Sequence, residues 1–133
     1  MVKEDVLTAE AKIDADTKKA IVDVVTANLE ATEKEDIHAA LATVDSESPG
    51  YAQTRDTLGR LFLAYDIDYE LELANVIEVS DTEAYVYTVY TAKKIDGPEY
   101  NDSRNKQVHR LTKQADGSWK IYISYTIAYE LLK

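Results

Sequence analysis

A chain of 133 residues with 25 acidic and 15 basic side chains carries a net charge of −10, and 45% of it is apolar. That length supports one domain with its own core, and the acidic balance excludes nucleic acid and anionic membranes as partners, which are held by clustered cations. With no cysteine, disulfides, thiolate catalysis and cysteine-bound zinc are excluded as well.

Residues 1–133 are expected to form a single domain, with 1–13 as an N-terminal arm. The start, "MVKEDVLTAEAKIDADTKK", has no apolar stretch of the kind a signal peptide needs. No run is long enough to span a bilayer. A cytoplasmic location is the expectation, a trimmed leader apart.

The first element is a helix over 14–33. Ala20, Ile21, Val24, Val25, Asn28 and Leu29 recur at the spacing of an amphipathic helix, and Asp14 and Asp16 precede it as capping acids. A short helix follows over 36–43, with Ile37, Ala40 and Leu41 on one face. The "DSESPG" stretch breaks it. A third helix over 51–64 carries Leu58, Leu61, Phe62 and Tyr65 as its stripe. Gly59 within it predicts a neighbour packed closely there.

The second half reads as strands. In "YDIDYELEL", Tyr65, Ile67, Tyr69, Leu71 and Leu73 alternate with Asp66, Asp68, Glu70 and Glu72. Period two means a strand with one apolar and one acidic face. The strand runs over 65–79, and "VIEV" shifts its pattern as a bulge would. Further strands follow over 83–94 and 105–114. The turn "ADGS", with its Asp-Gly signal, leads to a long last strand from Trp119. Three helices and then four antiparallel strands make an α+β fold, the helices covering one face of a curved sheet.

Four features resemble the nuclear transport factor 2-like superfamily, which has the cone-shaped cystatin-like fold. They are the helical stretch "VVTANLEATEKEDIHAALATVDSESP", the strand pair "IEVSDTEAYVYTVYT", the closing hairpin "VHRLTKQADGSWKIYIS" and the order of elements. The resemblance covers about Asp16 to Lys133. It implies a pocket between the concave sheet face and the helices. It leaves function open, since the superfamily holds isomerases, dehydratases, epoxide hydrolases, ligand binders and transport adaptors.

Parity places Trp119, Ile121, Ile123, Tyr125 and Ile127 inward, with Leu111, His109 and Gln107 on the neighbouring strand. Tyr51, Tyr65, Tyr69, His109, Trp119 and Tyr125 are the candidate ligand-binding residues. Their hydroxyls and rings suit a small, partly apolar molecule. His109 is the candidate acid/base, and the plainer reading is a core imidazole with both nitrogens satisfied. His38 reads as a surface residue. The acids of the first strand face away from the pocket, about 6.6–7 Å apart along the face, which is a poor cage for an ion. No metal site and no cofactor are expected.

Three functions are expected, in order: a non-catalytic small-ligand-binding domain, an isomerase or hydratase-type lyase using His109, and a dimeric interaction module without ligand. The strand Ala84 to Ala92 is apolar or aromatic on both parities, so both of its faces need cover. Tyr85, Tyr87, Val89, Tyr122 and Thr126 form the candidate interface of a homodimer through the outer sheet face, with Tyr87 and Tyr122 buried between subunits.

Overall fold

The computed structural model describes residues 12–99 and 101–132. Residues 1–11 of the expected N-terminal arm lie outside the described residues. Helix α1 spans Ala15–Glu33, α2 Ile37–Ala42 and α3 Tyr51–Ala64. The strands are β1 (Asp66–Val79), β2 (Glu83–Asp96), β3 (Ser103–Lys113) and β4 (Trp119–Leu131). They form one antiparallel sheet in the order β1-β2-β3-β4, leaving β1 and β4 at its edges.

The helix starts have local causes. The Asp14 carboxylate accepts the Thr17 N–H at 2.6 Å, and Asp36 accepts the Ala39 N–H at 3.0 Å. Each satisfies a donor that the first helical turn leaves free. Helix α3 begins at Gly50 without such a side-chain cap. In the β3–β4 connection, Gly117 adopts φ 88°, a conformation glycine tolerates, and its N–H donates to the Gln114 carbonyl at 2.9 Å.

The core joins α1 to the middle of the sheet. Ile21 and Val25 pack with Val76, Ala84, Val86, Leu111, Trp119 and Ile121. Helix α3 is different, for none of its residues is fully buried. It roofs the concave face at a distance rather than sealing it. Gly59 on α3 differs from expectation: a methyl placed there would meet Ile37 Cδ1 at 3.9 Å, an ordinary contact, so no neighbour crowds the position.

Two details shape the sheet. The segment after α2 lies along the start of β4. Asp45 N–H donates to the Ile121 carbonyl and Ile121 N–H to the Thr43 carbonyl, each at 2.8 Å. The register also slips by one residue at Glu72 and Ile77 in β1 and at Tyr122 and Ile127 in β4. Each slip is a bulge that bends its strand and exchanges the faces of the residues beyond it.

On the outer face the β1 acids are exposed. Arg104 donates to Glu72 at 2.7 Å and to Glu130 at 2.6 Å, and Arg110 pairs with Glu83. Hydrogen bonds and charge hold Glu72 below the usual carboxylate range and raise Arg104. Of the acids on the β1 face, Glu72 is therefore paired across the sheet by Arg104 of β3. Among the described residues no group of acids and histidines is placed to hold a metal ion.

Candidate functional site

A cavity of about 560 Å³ lies between the concave sheet face, α1 and α3. Helix α1 contributes Val25, Asn28, Leu29 and Thr32, and α3 contributes Gln53, Thr54, Thr57, Leu58 and Leu61. The sheet supplies Tyr69 and Leu71 from β1, Thr88 and Tyr90 from β2, Gln107 and His109 from β3, and 121–124 from β4. Val44, Ser48 and Gly50 close one side. The size falls within the range of small-molecule sites, roughly 300–1,000 Å³. Although 30% of the chain is charged, none of these 22 residues is Asp, Glu, Lys or Arg.

The polar centre of the floor is an imidazole held by two hydroxyls. His109 Nε2 lies 2.9 Å from Thr88 Oγ1, and its Nδ1 lies 2.7 Å from Ser124 Oγ. His109 is 7% exposed, and burial pushes its pKa down to about 4. It is uncharged at neutral pH, because a buried cation would lose its hydration without a carboxylate in return. Beside it Gln107 Nε2 donates to Thr126 Oγ1 at 3.1 Å.

Other polar groups of the wall are already engaged. Asn28 Nδ2 donates to Thr43 Oγ1 at 2.9 Å, and Thr32 Oγ1 donates to the Asn28 carbonyl at 2.8 Å. Ser48 Oγ donates to the Tyr122 carbonyl. Nearby, Asp45 accepts from Glu47 N–H at 2.9 Å, Thr112 Oγ1 at 2.7 Å and Gln114 Nε2 at 3.3 Å. These bonds, the backbone one foremost, hold its carboxyl below the usual range. Asp45 anchors the loop beside the cavity without lining it.

Of the residues singled out from sequence, Tyr69 and His109 line the cavity together. Tyr65 lies with Tyr69 in a smaller crevice beside Phe62 and Ile67. Tyr51 begins α3 and is not among the lining residues. Trp119 is core, packed with Val86 and Leu111 rather than facing the cavity, and Lys113 sits 5.8 Å from its ring. His38 is exposed.

The parity of β4 differs from expectation, and its cause is the bulge at Tyr122. Before the bulge Ile121 opposes Leu111; after it Ser124 opposes His109 and Thr126 opposes Gln107. Ser124 and Thr126 thus turn inward, whereas Tyr125 opposes Val108 on the outer face and is 50% exposed. Of the expected interface residues, Thr126 changes face, whereas Tyr85, Tyr87 and Val89 keep the outer parity opposite Arg110, Val108 and Lys106. Tyr87 is 1% exposed within one chain, so a partner has almost nothing of it to cover. Tyr85 and Val89 are half-buried, Thr126 bonds Gln107, and the Tyr122 ring lies 5.2 Å from the Arg110 guanidinium.

Thr88, Tyr90 and Ser124 are site residues beyond those expected from sequence. Thr88 pairs with Gln107 and Tyr90 with Asn105, so the inward parity of His109 extended across the register would have indicated both. Ser124 has no sequence signal, because it depends on the bulge.

Residues 23–132 match the family described as anti-sigma-I factor RsgI9, C-terminal domain. Anti-sigma-I factor RsgI9 of Acetivibrio thermocellus is 41% identical over 69 residues, covering 52% of this chain and 10% of that protein. This chain therefore corresponds to only a small part of the curated relative. In fold it is similar to a nuclear transport factor 2-like superfamily protein from Salmonella enterica, with a TM-score of 0.69, 15% identity, and 84% and 90% of the two chains covered. A putative scytalone dehydratase from Novosphingobium aromaticivorans gives a TM-score of 0.72 at 17% identity, with 88% of each chain covered. The fold expected from sequence, a nuclear transport factor 2-like α+β cone, is the one observed.

Proposed function

The chain belongs to the family of the C-terminal domain of anti-sigma-I factor RsgI9, and from that premise we propose that it binds a small, uncharged, partly apolar molecule in its cone without transforming it, as the ligand-responsive part of a regulator. The observation that carries this reading is the uncharged lining of a cavity large enough for a ligand. An anion or cation entering it would lose hydration and gain no opposite charge. An apolar body gains contact with Leu29, Leu58, Leu61 and Leu71, while hydroxyls and amides orient its polar end.

Acid/base chemistry of the isomerase or dehydratase kind needs a group that exchanges protons near neutral pH. Among the described residues no carboxylate lines the cavity. His109, with both nitrogens bonded and a pKa pushed down to about 4, is a poor general acid there and a weak base. These features favour binding over catalysis. The regulatory role rests on the family alone.

Thermal unfolding with three probes of one shape tests the proposal: neutral 2-acetonaphthone, anionic 2-naphthoate and cationic 2-naphthylmethylammonium. The neutral probe is expected to raise Tm in proportion to the logarithm of its concentration, and the ions to have little effect. Equal stabilisation by either ion overturns the reading.

A second reading, self-association, is favoured by one observation. Residues 124–131 of the edge strand β4 are all exposed, including Tyr125, Ile127, Tyr129 and Leu131. An open apolar edge of this length is a pairing site that monomers normally blunt. A homodimer expected through the outer face is better placed along this edge, with β4 of a second copy as the occupant. Glu130 is the segment's only charge, and antiparallel self-pairing about its centre keeps the two copies of it apart. Sedimentation is expected to show a dimer that Ile127→Lys dissociates. A monomeric parent overturns this reading.

A further inference from the structure

The floor of the cavity contains a hydrogen-bond chain whose direction is fixed by proton bookkeeping. Thr88 is 1% exposed, and its hydroxyl bonds His109 Nε2. A neutral imidazole has one N–H donor and one bare nitrogen acceptor. If Nε2 carried the hydrogen, Thr88 Oγ1 would accept it, and the buried Thr88 hydroxyl hydrogen would have no other partner among the described residues. A buried donor left unpaired costs about 1–3 kcal/mol. The opposite arrangement leaves no such orphan: Thr88 donates to Nε2, Nδ1–H donates to Ser124 Oγ, and the hydroxyl hydrogen of Ser124 remains to be given away. Ser124 is exposed and lines the cavity, so that hydrogen is available there. Each donor in such a chain polarises the next and strengthens the last one.

We propose that His109 is held as the Nδ1–H tautomer between Thr88 and Ser124, so that Ser124 presents a hydroxyl hydrogen to the cavity and selects ligands bearing a neutral oxygen acceptor, a ketone, ester or amide carbonyl. This rests on the reading of the cavity as a binding site and names the chemistry at its polar end. His109 and Thr88 are positioning residues that act through Ser124. The rest of the ligand lies against the leucines of α1, α3 and β1, and its carbonyl reaches the floor at β4. A hydrocarbon of the same shape forfeits the bond and leaves Ser124 unpaired. A carboxylate satisfies the donor but brings a charge that no wall residue balances.

Two measurements test the proposal. The first needs no ligand: the ring nitrogens of His109 are observed by long-range proton–nitrogen correlation at pH 7.5, with His38→Gln assigning the two histidines. Nδ1 is expected to be protonated and Nε2 bare; a ring protonated at Nε2 overturns the inference. The second compares 2-acetonaphthone with 2-isopropenylnaphthalene, in which a methylene replaces the carbonyl oxygen. The parent is expected to prefer the ketone roughly fivefold, the worth of one net hydrogen bond, and Ser124→Ala to remove the preference. Equal affinities in the parent overturn the inference and leave the binding site standing. If neither compound binds while His109 shows the expected tautomer, the binding-site reading fails, and the ligand half of the inference falls with it.

Discussion

Replacing His109 by leucine exposes the energetics of the cavity floor. The change keeps the volume roughly constant and deletes the acceptor of the Thr88 hydroxyl, which is 1% exposed. Ser124 also loses a bond, but it faces the cavity, where water can replace it. The cost is then mainly one orphaned buried hydroxyl, about 1–3 kcal/mol, partly offset by the added apolar side chain. We expect a net loss of about 1–2 kcal/mol for His109→Leu, which corresponds to roughly 3–10 °C in Tm for a domain of this length. Thr88→Val alone leaves Nε2 unpaired at a similar cost. The double variant removes both partners, and an apolar pair of the same shape is close to neutral. The two changes are therefore expected to couple by about 1–2 kcal/mol, the double variant being more stable than the sum of the singles. Urea unfolding at pH 7.5, with all four proteins showing the same m-value, measures this. Additivity within about 0.3–0.5 kcal/mol would show that Thr88 and His109 are not coupled through a buried hydrogen bond, as would a His109→Leu variant as stable as the parent.

Three further outcomes are expected. His109 has a folded pKa of about 4 against an ordinary value of 6.5, so its stabilising effect is complete above pH 6.5 and is lost as pH falls toward 4; parent unfolding measured across that window should lose roughly 3 kcal/mol that His109→Leu does not lose. Gly59→Ala is expected to stabilise by about 0.5–1 kcal/mol, seen as a higher urea midpoint, because the position is helical and Ile37 leaves room for a methyl at 3.9 Å. Leu111→Ala empties a fully buried core position and should cost about 2–5 kcal/mol by the same assay.

The helices and strands are legible in the sequence because each has a local cause. The spacing of Ile21, Val25 and Asn28 marks a helix, Asp14 and Asp36 mark starts, and the alternation from Tyr65 to Leu73 marks a strand whose acids point outward. His109 and Tyr69 reach the cavity because their strands keep their parity up to those points. The features that sequence does not reveal depend on single-residue events. The bulge at Tyr122 turns Ser124 inward and Tyr125 outward, and nothing in "KIYISYTIAY" distinguishes a bulged strand from a straight one. Tyr87 keeps the outer parity yet is 1% exposed within one chain, and the alternation of a single strand does not mark that burial. Asp45 reads as a turn residue because an acid after a short helix usually is one. Its buried role depends on Thr112 and Gln114, far away in sequence.

A neutral ligand is expected to enter the cone itself. Titrating labelled protein with 2-acetonaphthone while following backbone amide shifts tests it most directly, because the response reports location as well as affinity. Saturable shifts are expected to concentrate at Leu58, Leu61, Thr88, His109 and Ser124, around the cavity between α3 and the sheet. Shifts confined to the exposed row from Tyr125 to Leu131, or no saturable shifts at all, would contradict it.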